Sequence, residues 1–132
     1  MLRWSKITSV LLVTVMALSI NLAPASAEDR ICVRSTVKAT IWCAVHKWSV
    51  EGGPRKAVLI ARRESGLNPK AYNPTGCSGY GCKGVFQQSM RYWDGRWRSW
   101  GKDTRNNAFN MRANVIVSIR MAHIEGWGPW GG

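Results

Sequence analysis

Chemistry in this chain falls to few side chains. Only seven of its 132 residues are Asp or Glu, and Glu64 is the one in a setting suited to catalysis. It ends an apolar, helix-patterned run and opens a loop rich in Gly, Pro and Asn. That places it where a rigid element is expected to meet a cleft. An apolar setting keeps a carboxyl protonated at neutral pH, as a general acid requires. The plainer alternative is a helix-end Glu paired with Arg62 or Arg63. Asp94, just after Trp93, is the candidate for a second carboxylate. Its cationic surroundings (Arg91, Arg96, Arg98) point first to an ion pair. His46 and His123 fall in predicted helices with nothing to bring them together. Acid–base work by a histidine pair, as in a secreted ribonuclease, therefore has little support.

The elements that must position these residues can be read from periodicity and breakers. Ser35 to Trp48 is expected as a first helix, with Val37, Ile41, Ala44, Val45 and Trp48 at helical spacing and Ser35 or Thr36 as cap. Gly52-Gly53 interrupts, and Pro54 suits the first turn of a second helix, Pro54 to Glu64. Ala57, Val58, Ile60 and Ala61 form its stripe. Ser65 to Gly84 holds six Gly or Pro before Gly84 itself and is expected as turns, with a short hairpin at most. Val85 to Trp93 is expected to return to helix. Trp93 to Asp103 is rich in Trp and Arg, with Gly95 and Gly101 as breakers. A longest helix runs from Asn107 or Asn110 to Glu125, apolar around most of its circumference and so central. Gly126 ends it. The sum is a mainly helical domain with an irregular loop region between helices.

Arg3 and Lys6, the uncharged run Ile7 to Ile20, and Ala25-Ser26-Ala27 together predict a secretory signal cleaved after Ala27. The run is shorter than the roughly 20 apolar residues of a membrane span. The expected division is therefore a signal over 1–27 and one domain over 28–132, with no stable membrane insertion after cleavage. Losing Arg3 and Lys6 takes the net charge from +12 to +10. Export makes disulfides plausible for Cys32, Cys43, Cys77 and Cys82. Cys77 and Cys82 close easily across two glycines, leaving Cys32 with Cys43. On one straight helix those two would stand about 16 Å apart, too far to bond. Either Cys32 precedes the helix and folds back, or the pairing differs. Zinc is the rival use, but the spacings are not those of a finger or ribbon. Length and composition (20% charged, 45% apolar) exclude a multidomain assembly and a disordered tail.

A set of motifs adds to this. Glu64-Ser65-Gly66 is followed by Leu67-Asn68-Pro69-Lys70-Ala71-Tyr72-Asn73-Pro74. Gly84-Val85-Phe86-Gln87 and Gln88-Ser89-Met90-Arg91-Tyr92-Trp93 come next, then Ala113-Asn114 and Gly126-Trp127-Gly128-Pro129-Trp130. The ordered set resembles the lysozyme-like transglycosylases that cut bacterial cell-wall glycan. It is most similar to small secreted actinobacterial members, and is related in pattern to soluble lytic transglycosylases and resuscitation-promoting factors. The resemblance spans roughly Val50 to Trp130. It implies an α+β, lysozyme-like fold, mainly helical, with loops or a short hairpin beside the cleft.

The same resemblance implies roles. Glu64 matches the catalytic acid, Ser65 the neighbouring Ser that supports it, and Gln87 the Gln lining the sugar cleft. Asn114 on the long helix is expected to face the cleft, its alternative being a helix-surface Asn. Tyr92, Trp93 and Trp127 are further candidate sugar contacts. The Tyr of a third, downstream motif in soluble lytic transglycosylases has no ready counterpart, because Ala71-Tyr72-Asn73 comes too early. Ordinary glycosidases use two carboxylates. A lone acid suffices when the substrate's own N-acetyl group attacks its anomeric carbon, so no metal or cofactor is implied.

Trp93, Trp97, Trp100, Trp127 and Trp130 offer sugar-stacking faces, with core packing expected to claim two or three of them. The positive charge suits the anionic polymers of a cell wall. Basic residues interleaved with aromatics are also a pattern of single-strand nucleic-acid binders, but no nucleic-acid motif is present and export argues against that partner. The expectation is a monomeric, secreted, wall-associated lytic transglycosylase acting on peptidoglycan strands. The alternatives are a hydrolytic muramidase using Asp94 and a non-catalytic cationic wall-binding protein.

Overall fold

A computed structural model describes residues 30–132; the predicted signal over 1–27 lies outside them. Four helices and a small sheet make up the domain: α1 (Val37–Lys47), α2 (Gly53–Ser65), β1 (Tyr72–Asn73), β2 (Cys82–Lys83), β3 (Gln88–Ser89), α3 (Trp93–Trp100) and α4 (Met111–Glu125). A short 3-10 turn, Gly128–Trp130, follows. No helix of the described residues is long and apolar enough to cross a membrane.

Local chemistry accounts for the helix ends. Thr36 caps α1, its hydroxyl accepting from Ala39 N at 3.1 Å. Pro54 stands in the first turn of α2, where its missing N–H costs nothing. Asn110 caps α4 by accepting from Ala113 N at 2.9 Å. α4 is central because it is apolar nearly all round. Its residues from Ala113 to Ile119 are all buried. It packs on α1 and α3, while α1 packs on α2. Ile41, Val58, Phe86, Ile116, Ile119 and Trp127 share the main core. Trp93, Ala108, Ala113 and Val117 form a second cluster under α3.

Both disulfides join the expected cysteines. Cys32 precedes α1 and folds back onto Cys43, Cα to Cα 5.6 Å. Cys77 bonds Cys82 with Cα atoms 5.5 Å apart. All four thiols being bonded, the zinc alternative for them falls.

The sequence misleads in two places. Val85 to Trp93 is not a helix, and only Trp93 itself opens α3. The segment holds a tight corner and β3, which completes an antiparallel sheet of order β1-β2-β3 with Tyr72 opposite Lys83 and Cys82 opposite Ser89. The cause lies outside the segment. The Asn114 amide accepts from Phe86 N at 2.9 Å, and Ser65 Oγ donates to Val85 O at 2.7 Å. These long-range partners take the backbone groups that a helix would need. Gly84 makes the corner possible, with φ +82°, and a Cβ there would collide with the Ala108 carbonyl and the Asn114 amide. The second correction is Gly95, which lies inside α3 and breaks nothing. A helical Gly costs only about 1 kcal/mol, and Trp93, Trp97 and Trp100 packing under α3 offsets it.

Candidate active site

Glu64 occupies the last turn of α2 and lines a cleft of about 260 Å³. Its side chain is 25% exposed, and its Oε1 accepts from Arg63 Nη2 at 3.1 Å. The helix-end ion pair and the cleft position thus coexist. Arg63 also donates to the Trp130 carbonyl, so one guanidinium ties the acid to the C-terminal wall. Among the described residues, Glu64 is the only carboxylate lining this cleft.

Ser65 stands behind the wall rather than in it. Its bond to Val85 O brings the end of α2 against the Gly84–Gln87 corner, joining in space two motifs 20 residues apart. The corner is fixed from the other side by Asn114. Gln87, at its tip, has φ +50°, a conformation uncommon outside Gly and held only when the surroundings determine it. Here Gln87 Nε2 donates to Ala71 O at 3.1 Å and Gly84 O at 3.0 Å. The side chain is therefore anchored through its nitrogen while lining the cleft beside Glu64.

Tyr92 and Arg96 line the same cleft, with the Arg96 guanidinium 5.0 Å from the Tyr92 ring centre. Tyr92 is half exposed. Arg91 stacks near it at 5.4 Å and on Tyr80 at 5.0 Å, so alternating rings and cations lead outward from the cleft. Burial lowers the Arg96 pKa from the ordinary arginine value, and the charge of Glu125 and then Tyr92 oppose that shift. Met121, Pro129 and Trp130 supply an apolar wall. Trp130 Nε1 donates to Phe86 O at 2.8 Å, and its ring packs edge-on to Phe86 and Trp127.

The structure brings Glu64, Gln87 and Tyr92 together and separates three other expected contacts from them. Asn114 is 0% exposed. Besides accepting from Phe86 N, it donates to Lys83 O at 3.0 Å and Ala108 O at 2.9 Å. It holds the corner from within and touches no cleft. Trp93 (6% exposed) and Trp127 (2%) are core residues. Their indole N–H groups donate to Asn106 Oδ1 and Glu51 O, both at 2.8 Å. Indoles with satisfied N–H groups are ordinary core members. Of the five candidate stacking tryptophans, Trp130 alone lines this cleft.

Asp94 does not join Glu64. Its Oδ2 pairs with Arg98 Nε at 2.9 Å and its Oδ1 accepts from Asn106 at 2.9 Å. His46 and His123 contact the carbonyls of Trp42 and Ser49 and do not line the cleft. The sequence reading missed Gln88 and Arg96 as cleft residues. The available signal was spacing: Arg96 is four residues beyond Tyr92, one helical turn on the same face. Treating Gly95 as a breaker hid it. No family model matches the chain, and no curated protein or solved structure is significantly similar to it.

Proposed function

We propose that this cleft cuts the glycan strands of bacterial peptidoglycan as a secreted lytic transglycosylase, with Glu64 as acid and then base. The observation that carries the reading is the lone carboxyl of Glu64 beside Gln87, with its motif tied to the Gly84–Gln87 corner through Ser65. A helical body with a small antiparallel sheet flanking the acid agrees with a lysozyme-like arrangement. Two disulfides and a net charge of +10 without the leader suit export to an anionic wall.

In this reading Glu64 donates its proton to the oxygen between muramic acid and the following glucosamine. The muramic N-acetyl oxygen attacks the anomeric carbon as that bond breaks. The Glu64 carboxylate then takes the proton of the C6 hydroxyl, whose oxygen displaces the N-acetyl oxygen at the anomeric carbon. The product is a 1,6-anhydro sugar, no water is consumed, and Glu64 regains its proton. One acid suffices, whereas the hydrolytic route by paired carboxylates needs two. Asp94, held by Arg98 and Asn106 away from the cleft, does not supply the second.

The test is mass analysis of fragments released from peptidoglycan by the protein and by Glu64→Gln. Anhydromuramic ends, lost in the variant, are expected. Fragments one water heavier, with reducing ends, would mean hydrolysis. No fragments from a folded, wall-bound protein would leave a non-catalytic cationic binder.

A further inference from the structure

Arg96 is an unusual cation for this surface. It lines the same cleft as Glu64, and its Nη1 donates to Gln88 Oε1 at 2.7 Å. Gln88 is 1% exposed, and its Nε2 donates to the buried Ser118 hydroxyl at 2.8 Å. A guanidinium carries donors only, so the Gln88 amide must turn its oxygen to Arg96 and its nitrogen to Ser118. Tyr92 packs on another side. The head group is thereby fixed, while Gln88 is its only hydrogen-bond acceptor among the described residues.

Among the described residues no anion is in contact with Arg96. Glu51, Glu64, Asp94 and Asp103 each pair with a different cation. Glu125 acts on Arg96 through its charge but makes no ion pair within 4 Å with any described residue. A partly desolvated cation with a preset geometry and open donors is suited to a planar anion, which a guanidinium binds through two parallel bonds.

We propose that Arg96, held by Gln88 and Ser118, is a carboxylate-binding subsite that recognises the acid group on the lactyl side chain of the muramic sugar. This rests on the glycan-cleaving reading and names which sugar the cleft selects. The carboxylate has two possible sources. One is the lactyl group itself on a strand whose peptides have been removed. The other is the first free carboxylate of an attached stem peptide.

Binding measured without cleavage separates this from the reaction itself. In a Glu64→Gln background, calorimetry is run with three tetrasaccharides: N-acetylglucosamine only, peptide-free muramyl, and peptide-bearing muramyl. A charge-assisted hydrogen bond predicts that at least one muramyl ligand binds about ten- to a hundredfold tighter than the carboxylate-free one. Preference for the peptide-free ligand assigns the lactyl carboxylate, and preference for the peptide-bearing one assigns the stem peptide. Arg96→Gln should remove the preference, so that the muramyl ligands bind no tighter than the carboxylate-free one. Arg96→Lys should restore part of it, since charge returns without the paired geometry. Equal affinity for all three ligands overturns the proposal. So does an Arg96→Gln variant that, still folded by circular dichroism, weakens all three equally. Failure to release anhydro fragments would overturn the reaction and leave these binding results to stand by themselves.

Discussion

Replacing Asn114 by Ala tests whether the cleft corner is held from inside the protein. The residue is 0% exposed and makes three hydrogen bonds, to Phe86 N, Lys83 O and Ala108 O. Truncation strands one buried donor, one buried acceptor and one partly buried acceptor, and each stranded buried group costs about 1–3 kcal/mol. The two carbonyls keep a second lone pair, so the lower end applies to them. Alanine's better helix propensity returns less than about 0.7 kcal/mol. The expected net loss is about 3 kcal/mol, a large share of the roughly 5–15 kcal/mol typical of a domain. For a domain of this size that corresponds to a fall in Tm of about 12–24 °C.

Urea and thermal unfolding followed by circular dichroism measure the loss. Hydrogen exchange at the Phe86 amide locates it, because that N–H has no acceptor left and should exchange with the first protected groups to open. A loss below about 1 kcal/mol with Phe86 still protected would refute the reasoning, since a single stranded group should cost at least that much. A variant of unchanged stability that no longer binds glycan would return Asn114 to the cleft and overturn its assignment as scaffold.

Two further changes separate the readings. Asp94→Asn removes an exposed i,i+4 ion pair with Arg98, worth at most about 1 kcal/mol. It should leave fragment release within about twofold of wild type, and a hundredfold loss in a turbidity assay would revive the two-carboxylate mechanism. Opening the disulfides one at a time should cost about 3 kcal/mol for Cys32–Cys43 and about 2 kcal/mol for Cys77–Cys82, from the 11- and 5-residue separations they close. Paired Cys→Ser variants in urea check the order. Only loss of the second bond, which borders the cleft, should also weaken glycan binding.

Features that depend on neighbours along the chain were legible in the sequence. A cap at Ser35 or Thr36, a start of α4 at Asn107 or Asn110, Pro54 at the start of α2, and the apolar run that makes α4 central are all local chemistry, and the structure selects Thr36 and Asn110. So is the placement of Glu64 at a helix end before a Gly-rich loop, and the easy closure of Cys77 onto Cys82. Each follows from spacing that a folded environment has no reason to overrule.

Features that depend on a partner far along the chain emerged only from the packed domain. Val85 and Phe86 read as the start of a helix, yet Ser65 and Asn114, 20 and 28 residues away, take their backbone groups. Asn114 read as a cleft residue because a polar side chain in an apolar helix is equally compatible with a ligand or a buried backbone corner. The corner was visible only once Gly84 lay against it. Likewise, five tryptophans looked alike in sequence, but which of them faces the cleft depends on where the packing leaves each ring, buried as in Trp93 and Trp127 or half-exposed at the cleft wall as in Trp130. Hydrophobic periodicity reports which residues avoid water. It carries no information about which distant donor will claim a given carbonyl, and in this domain those distant bonds shape the site.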